Sequence, residues 1–273
     1  MSPQIKDIIS SLNSHAPFGL AEPWDNVGLL IGHPEREVTS LLIGLDPTCT
    51  LIEEAIAIGA DTLITHHPLI FQPIAAINTI TPVGRIIEIA LRQGINVIAC
   101  HTNLDSAENG VSDALARVLG LANLSPLTTT PRANLPEQQG MGRIGNYPES
   151  ISSSAFLKHL RQALGLEAVQ IAGRFPDSIR TVAICGGSGS DLAGIALEKG
   201  ADIFLTAEIK HHIARWAEES NFCLIEGTHY ATERLAIGLL ADLMQTEKTS
   251  RNWNISITQT QTERHPFVLT YIE

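Results

Sequence analysis

Paired cysteines, excess basic charge and long apolar runs are what this sequence lacks. Its four cysteines, Cys49, Cys100, Cys185 and Cys223, stand far apart and none forms a Cys-x-x-Cys pair. Neither a zinc knuckle nor a disulfide framework is signalled, and they read as small core hydrophobes. Lys and Arg number 18 against 29 Asp and Glu, for a formal net charge of −11. A duplex nucleic-acid binder needs a basic face to displace phosphate counterions, so this balance argues against nucleic acid as a partner. No uninterrupted apolar stretch reaches the roughly 20 residues that span a bilayer. The start, MSPQIKDIISSLNSHAP, has neither a basic region followed by an apolar one nor the Arg/Ser-rich character of a transit peptide, so no membrane partner and a cytoplasmic location are expected. A Walker-type phosphate loop is also missing. Gly186-Gly-Ser-Gly189 is the nearest thing, and it makes Gly187 and Ser188 candidate anion contacts through backbone N–H groups.

What is present is ordinary globular composition, 44% hydrophobic and 17% charged. At 273 residues the chain exceeds the usual single domain, so two lobes are expected. Short β-rich runs alternate with helical stretches, the pattern of an α/β fold. Strands are expected at 40–45, 62–65 and 96–100, with helices at 50–58, 83–92 and 109–119 ended by Gly59, Gly94 and Gly120. The second half repeats the first. Gly200-Ala-Asp-Ile-Phe-Leu-Thr206 matches Gly59-Ala-Asp-Thr-Leu-Ile-Thr65 in residue type, and a strand precedes His229 as one precedes His101. Two related α/β lobes from an internal duplication follow: 1–124, then a connector at 125–175 with a helix at 152–164, then 176–273, with the lobes allowed to intertwine. Residues 125–147, rich in Thr, Pro, Gly and Gln, read as irregular.

The chemistry lies in a repeated spacing. His101-Thr-Asn-Leu-Asp105 and His229-Tyr-Ala-Thr-Glu233 each place a carboxylate four residues after an imidazole, directly after an apolar run. His66-His67-Pro68 stops another strand, and proline lets the chain turn there, so both rings can face one cavity. Strand ends in open α/β sheets line the crevice where such folds bind ligands. Imidazole with carboxylate suits zinc, iron, manganese or nickel better than calcium, and five or six side chains exceed one tetrahedral zinc but suffice for two ions about 3.5–4 Å apart. A lone His-x-x-x-Asp is more often a cap or surface pair; the coincidence of doublet, repeated spacing and strand-end placement favours metal. His15, His33, His159 and His265 have no such context and read as surface residues, and His211-His212 as the start of a helix over 209–220.

Four segments in order, Trp24-Asp-Asn-Val-Gly-Leu-Leu-Ile-Gly32, Leu63-Ile-Thr-His-His-Pro-Leu-Ile-Phe71, Cys100-His-Thr-Asn-Leu-Asp105 with Asn109-Gly-Val, and Gly227-Thr-His-Tyr-Ala-Thr-Glu233, resemble the hallmarks of the Nif-three-like family, the GTP cyclohydrolase I type 2 homologues. The resemblance implies a Nif-three-like fold of mixed sheets flanked by helices and a dinuclear centre between two lobes. It also implies a toroidal homohexamer. Its metal ligands fall on His66, His67, Asp105, His229 and Glu233, with two divalent ions per subunit. His101 is then a neighbour that orients a ligand or water, and Glu208 and His212 border the site, His101 and Glu208 being the candidates for proton transfer. Ala207 stands where the family commonly has glycine. The stretch 125–174 is too short for the extra domain of larger members, and the uncharged loop 69–80 is the candidate subunit interface.

Three classes of function stay open on the sequence. The first is a metal-dependent hydrolase, in which metal-activated water attacks a nucleotide or another small cyclic or phosphorylated molecule. The second is a non-catalytic metal-binding or regulatory protein. The third, disfavoured by the acidic balance, is a ring-shaped scaffold for nucleic acid or protein.

Overall fold

A computed structural model describes residues 2–129 and 139–270. The chain divides into two compact units. The first comprises residues 1–104 and 236–264, and the second comprises 105–235 and 265–273.

The first unit holds a five-stranded sheet in the order Gly28–Ile31, Asn96–Ala99, Thr62–Thr65, Ser40–Gly44, Ser256–Gln259. Its first pair is antiparallel and the rest are parallel. Leu42, Leu63 and Val97 pack on one face against Ile52 and Ala55 of helix Cys49–Ile58 and Ile86, Ile87 and Ala90 of helix Pro82–Gln93. The alternate residues Leu41, Ile43, Ile64 and Ile98 are equally buried, as the two-residue strand period requires when both faces are covered. Each such side chain contributes about 1.5–3 kcal/mol. Thr48 and Thr81 cap the two helices through their hydroxyls, and Gly59 and Gly94 end them in the left-handed conformation.

The second unit holds a six-stranded sheet, Ala122–Pro126, Arg143–Ser152, Ser178–Ser188, Ile203–Ala207, Cys223–Glu226, Gln170–Ala172. Its three parallel strands, 178–188, 203–207 and 223–226, run in the order of 40–44, 62–65 and 96–99. In each sheet a short strand then pairs antiparallel with the third member, so the repeat extends one strand beyond what the sequence suggests. Val182, Ile184, Ile203 and Leu205 face Phe156 and Leu160 of helix Ser153–Leu164, and Ala183, Phe204 and Leu224 face Ala196 and Ala217 on the other side.

Three features depart from expectation. The stretch expected to be irregular is entered by a strand at each end, Ala122–Pro126 and Arg143–Ser152, the latter with Arg143, Gly145 and Tyr147 at its inward positions, which give little apolar alternation; residues 130–138 lie outside the described residues. The first unit closes at 104 rather than 124, since these strands join the second sheet. It also takes back the late strand Ser256–Gln259, paired parallel with Ser40–Gly44. Among the described residues no helix is long and apolar enough to cross a membrane.

Candidate metal centre

Within the first unit, the strand Thr62–Thr65 stops at His66, whose N–H continues the ladder to the Gly44 carbonyl, and the His67 N–H reaches that of Leu45. Thr65 Oγ1 donates to the His67 carbonyl and fixes the turn before Pro68. The two rings lie 5.1 Å apart between centroids, and that of His101, just past the neighbouring strand Asn96–Ala99, is 5.3 and 5.4 Å from them. One ring nitrogen from each of the three lies within 4.8 Å of the others.

Each ring is oriented through Nδ1. His66 Nδ1 is 2.8 Å from the Cys100 carbonyl, His67 Nδ1 2.7 Å from Asp46 Oδ1, and His101 Nδ1 2.8 Å from Asp25 Oδ1. A ring that donates from Nδ1 to an oxygen is held in the tautomer that presents an Nε2 lone pair, the arrangement that readies imidazole for a metal. Asp25 also accepts from the N–H and hydroxyl of Thr102. Burial pushes the Asp25 carboxyl up, but the bonds from His101 and Thr102 outweigh it and hold it at about 2. Trp24 is 58% exposed and stands edge-on to Phe71 and His101.

Within the second unit, His229 and Glu233 lie one turn apart on helix His229–Glu233, with Nε2 2.7 Å from Glu233 Oε2. His229 Nδ1 is 2.9 Å from Glu208 Oε1, so this fourth ring is oriented like the other three. Both residues that set it up, Glu208 (φ 54) and Thr228 (φ 59), take positive φ without being glycine. For a β-branched threonine this is strained, and such strain gathers at functional sites. Ala207 ends its strand buried and without positive φ, which falls on Glu208 instead. Asp105, 7% exposed on helix Thr102–Ser106, has a carboxylate oxygen within 4.8 Å of one on Glu233, itself 3% exposed. Two buried carboxylates at that separation repel unless a cation or a shared proton lies near them. Their charge, after burial, also pushes up the Cys185 thiol.

Gly187 explains how Glu233 fits. A Cβ there would stand 1.9 Å from Glu233 Oε1 and 3.2 Å from His229 Nε2. The Gly187 N–H donates to Thr232 Oγ1 and that of Gly189 to Thr206 Oγ1, so both of these N–H groups are engaged within the protein. Ser188 is exposed at the end of strand Ser178–Ser188, and His212 is exposed in the first turn of helix His211–Glu219. Of the histidines without context, His15, His33 and His159 are exposed and His265 is half-buried.

Local spacing points to no role for Asp46, Asp25 or Arg143. Asp46 left one signal, a carboxylate two residues past the strand beside the His-His strand. The Arg143 guanidinium is 2% exposed and bonds Asp113 and the carbonyls of Ala107, Gly140 and Gly142, gripping the chain just after Asp105. The donor sets, three imidazoles in one unit and an imidazole with two carboxylates in the other, fit divalent first-row metals.

A model of the Duf34/NIF3 (NGG1p interacting factor 3) family matches residues 3–266. A Streptomyces coelicolor protein named GTP cyclohydrolase 1 type 2 homolog is 33% identical over 97% of this chain and 94% of its own. Among solved structures, a Staphylococcus aureus hypothetical protein superposes with TM-score 0.91 at 32% identity over 100% of both chains. A Bacillus cereus protein related to NIF3 gives TM-score 0.92 at 26% identity over 99% of this chain and 100% of the other.

Proposed function

Because the chain belongs to the Duf34/NIF3 family, we propose that it is a dinuclear metal-dependent hydrolase whose ligands are His66, His67, Asp105, His229 and Glu233. The observation that carries this reading is the common orientation of four imidazoles, each fixed through Nδ1 by a carboxylate or carbonyl. When bound, two divalent ions supply Lewis acidity and lower the pKa of water at the site. The chain's own residues do the rest. Asp46 and Glu208 orient His67 and His229, and Asp25 orients His101, whose Nε2 is the group that holds and passes a proton. Glu208, through Oε2, is the second candidate for proton transfer.

The name borne by the Streptomyces coelicolor relative supports a nucleotide or other small cyclic or phosphorylated molecule as substrate. The same reading makes the working particle a ring of six copies. Elemental analysis of purified protein should find two divalent ions per chain, and His229→Ala should lower that content and abolish turnover. Metal-loaded protein that leaves GTP and a panel of cyclic amides and phosphoesters unchanged would overturn the reading.

A further inference from the structure

A cavity of about 520 Å³ opens within the second unit against the first turn of helix His229–Glu233, in the size range of small-molecule sites. His229 lines it, so its contents adjoin that ring. One wall is aromatic. The Tyr230 and His265 rings lie 5.5 Å apart at 68°, and those of His265 and Phe267 6.0 Å apart at 59°. Three carboxylates, those of Glu167, Glu208 and Glu226, line the cavity, and among the described residues no Lys or Arg lines it.

These carboxylates differ in what they can do. Glu226 accepts the N–H of Ile209 on one oxygen and that of Thr228 on the other, so it acts as a fixed negative charge. Glu208 is tied to His229 through Oε1, which leaves Oε2 as an acceptor, and Glu167 sits in the turn after helix Ser153–Leu164. A phosphate here would meet three carboxylates, a repulsion felt most at low salt because Glu167 and Glu208 are exposed, while the nearest guanidinium groups, those of Arg161 and Arg234, stand at the rim by Leu166 and Gly165. A planar ring with N–H donors would find aromatic faces and carboxylate acceptors together.

On the hydrolase reading above, we propose that this cavity seats a neutral or cationic nitrogen heterocycle of the substrate, and that phosphate groups stay outside it. The ring stacks on Tyr230, His265 and Phe267, and its N–H edge points to Glu167 and Glu208. If the substrate is a nucleotide, its base enters and its phosphates do not.

Calorimetric titration of the full chain with guanosine, adenosine and a neutral pterin, against GTP and ATP, tests this. It is run on protein as purified and on chelator-treated protein whose fold is verified by circular dichroism. On chelator-treated protein at low salt, at least one uncharged probe should bind at least tenfold more tightly than the triphosphates, and the gap should narrow in Glu167→Gln. Tyr230→Ala and Phe267→Ala should each weaken the uncharged probe at least fivefold. Phe267 is 82% exposed, so its variant retains the fold. Triphosphates binding as tightly as the uncharged probes, binding of none of the probes, or affinities unchanged in both variants would overturn the proposal. Tyr230-dependent binding without turnover by metal-loaded protein would leave the pocket and remove the hydrolase. Turnover with a KM unmoved by both variants would do the reverse.

Discussion

Gly187 is the position where one methyl group should do the most damage. Its φ of 61 already favours glycine, and the missing Cβ is the space that Glu233 Oε1 occupies. Gly187→Ala is therefore expected to push the Glu233 carboxylate aside and weaken metal binding by roughly 10–100-fold, read as ions retained per chain after dialysis; full retention would count against a ligand role for Glu233. Arg143 is the structural counterpart. Its buried guanidinium faces Asp113 and three carbonyls, so Arg143→Ala leaves a buried carboxylate unpaired and should cost about 3–5 kcal/mol in urea unfolding. Arg143→Lys should recover only part, because an ammonium cannot span that fork of acceptors. The contrast explains what was legible. His66, His67, His101 and His229 show themselves through local spacing, whereas Asp25, Asp46, Gly187 and Arg143 matter through partners remote in sequence, which a linear reading cannot pair.

Elements were legible where apolar residues kept a clear period, as in the strand Thr62–Thr65 and the helix Pro82–Gln93. The strand Ser256–Gln259 was not, since Ser-Ile-Thr-Gln gives almost no apolar signal and is held as an edge strand by its backbone ladder to Ser40–Gly44. The segment that follows it is tied down by a side chain of helix Cys49–Ile58. Glu54 accepts hydrogen bonds from the hydroxyls of Thr260 and Thr262 and from the Gln261 N–H. Burial pushes its carboxyl up, but these bonds outweigh it and leave the folded-state pKa below the usual value. A group depressed on folding stabilises fully above its unfolded pKa, and that contribution is lost as pH falls through the folded one. Glu54→Gln should thus lower stability by roughly 1 kcal/mol at neutral pH. The difference from the parent should shrink progressively below the ordinary glutamate range. A Tm difference that stays constant from pH 7 to pH 3 would show that the charge of Glu54 is not what anchors the segment.

At the scale of the whole molecule, association has to overcome a net charge of −11 on every copy. Like-charged chains repel over a Debye length, so a ring of six needs contact that is largely apolar. The loop at 69–80 offers it. It carries no charged residue, and Phe71, Ile74, Ile77 and Ile80 are 46, 43, 56 and 88% exposed, a concentration of large apolar side chains with no evident role in their own unit's core. An interface built this way has a distinctive salt response. Interfacial ion pairs weaken as salt rises, whereas an apolar contact between acidic chains strengthens, because screening removes repulsion and leaves the hydrophobic term intact. Light scattering should therefore find a particle six times 29.5 kDa that is held more firmly at 0.5 M than at 0.05 M salt. Ile77→Asp with Ile80→Asp should dissociate it while circular dichroism stays that of the parent. A particle of 29.5 kDa at every salt concentration would remove the ring, and a hexamer that falls apart as salt rises would move its contacts away from this loop.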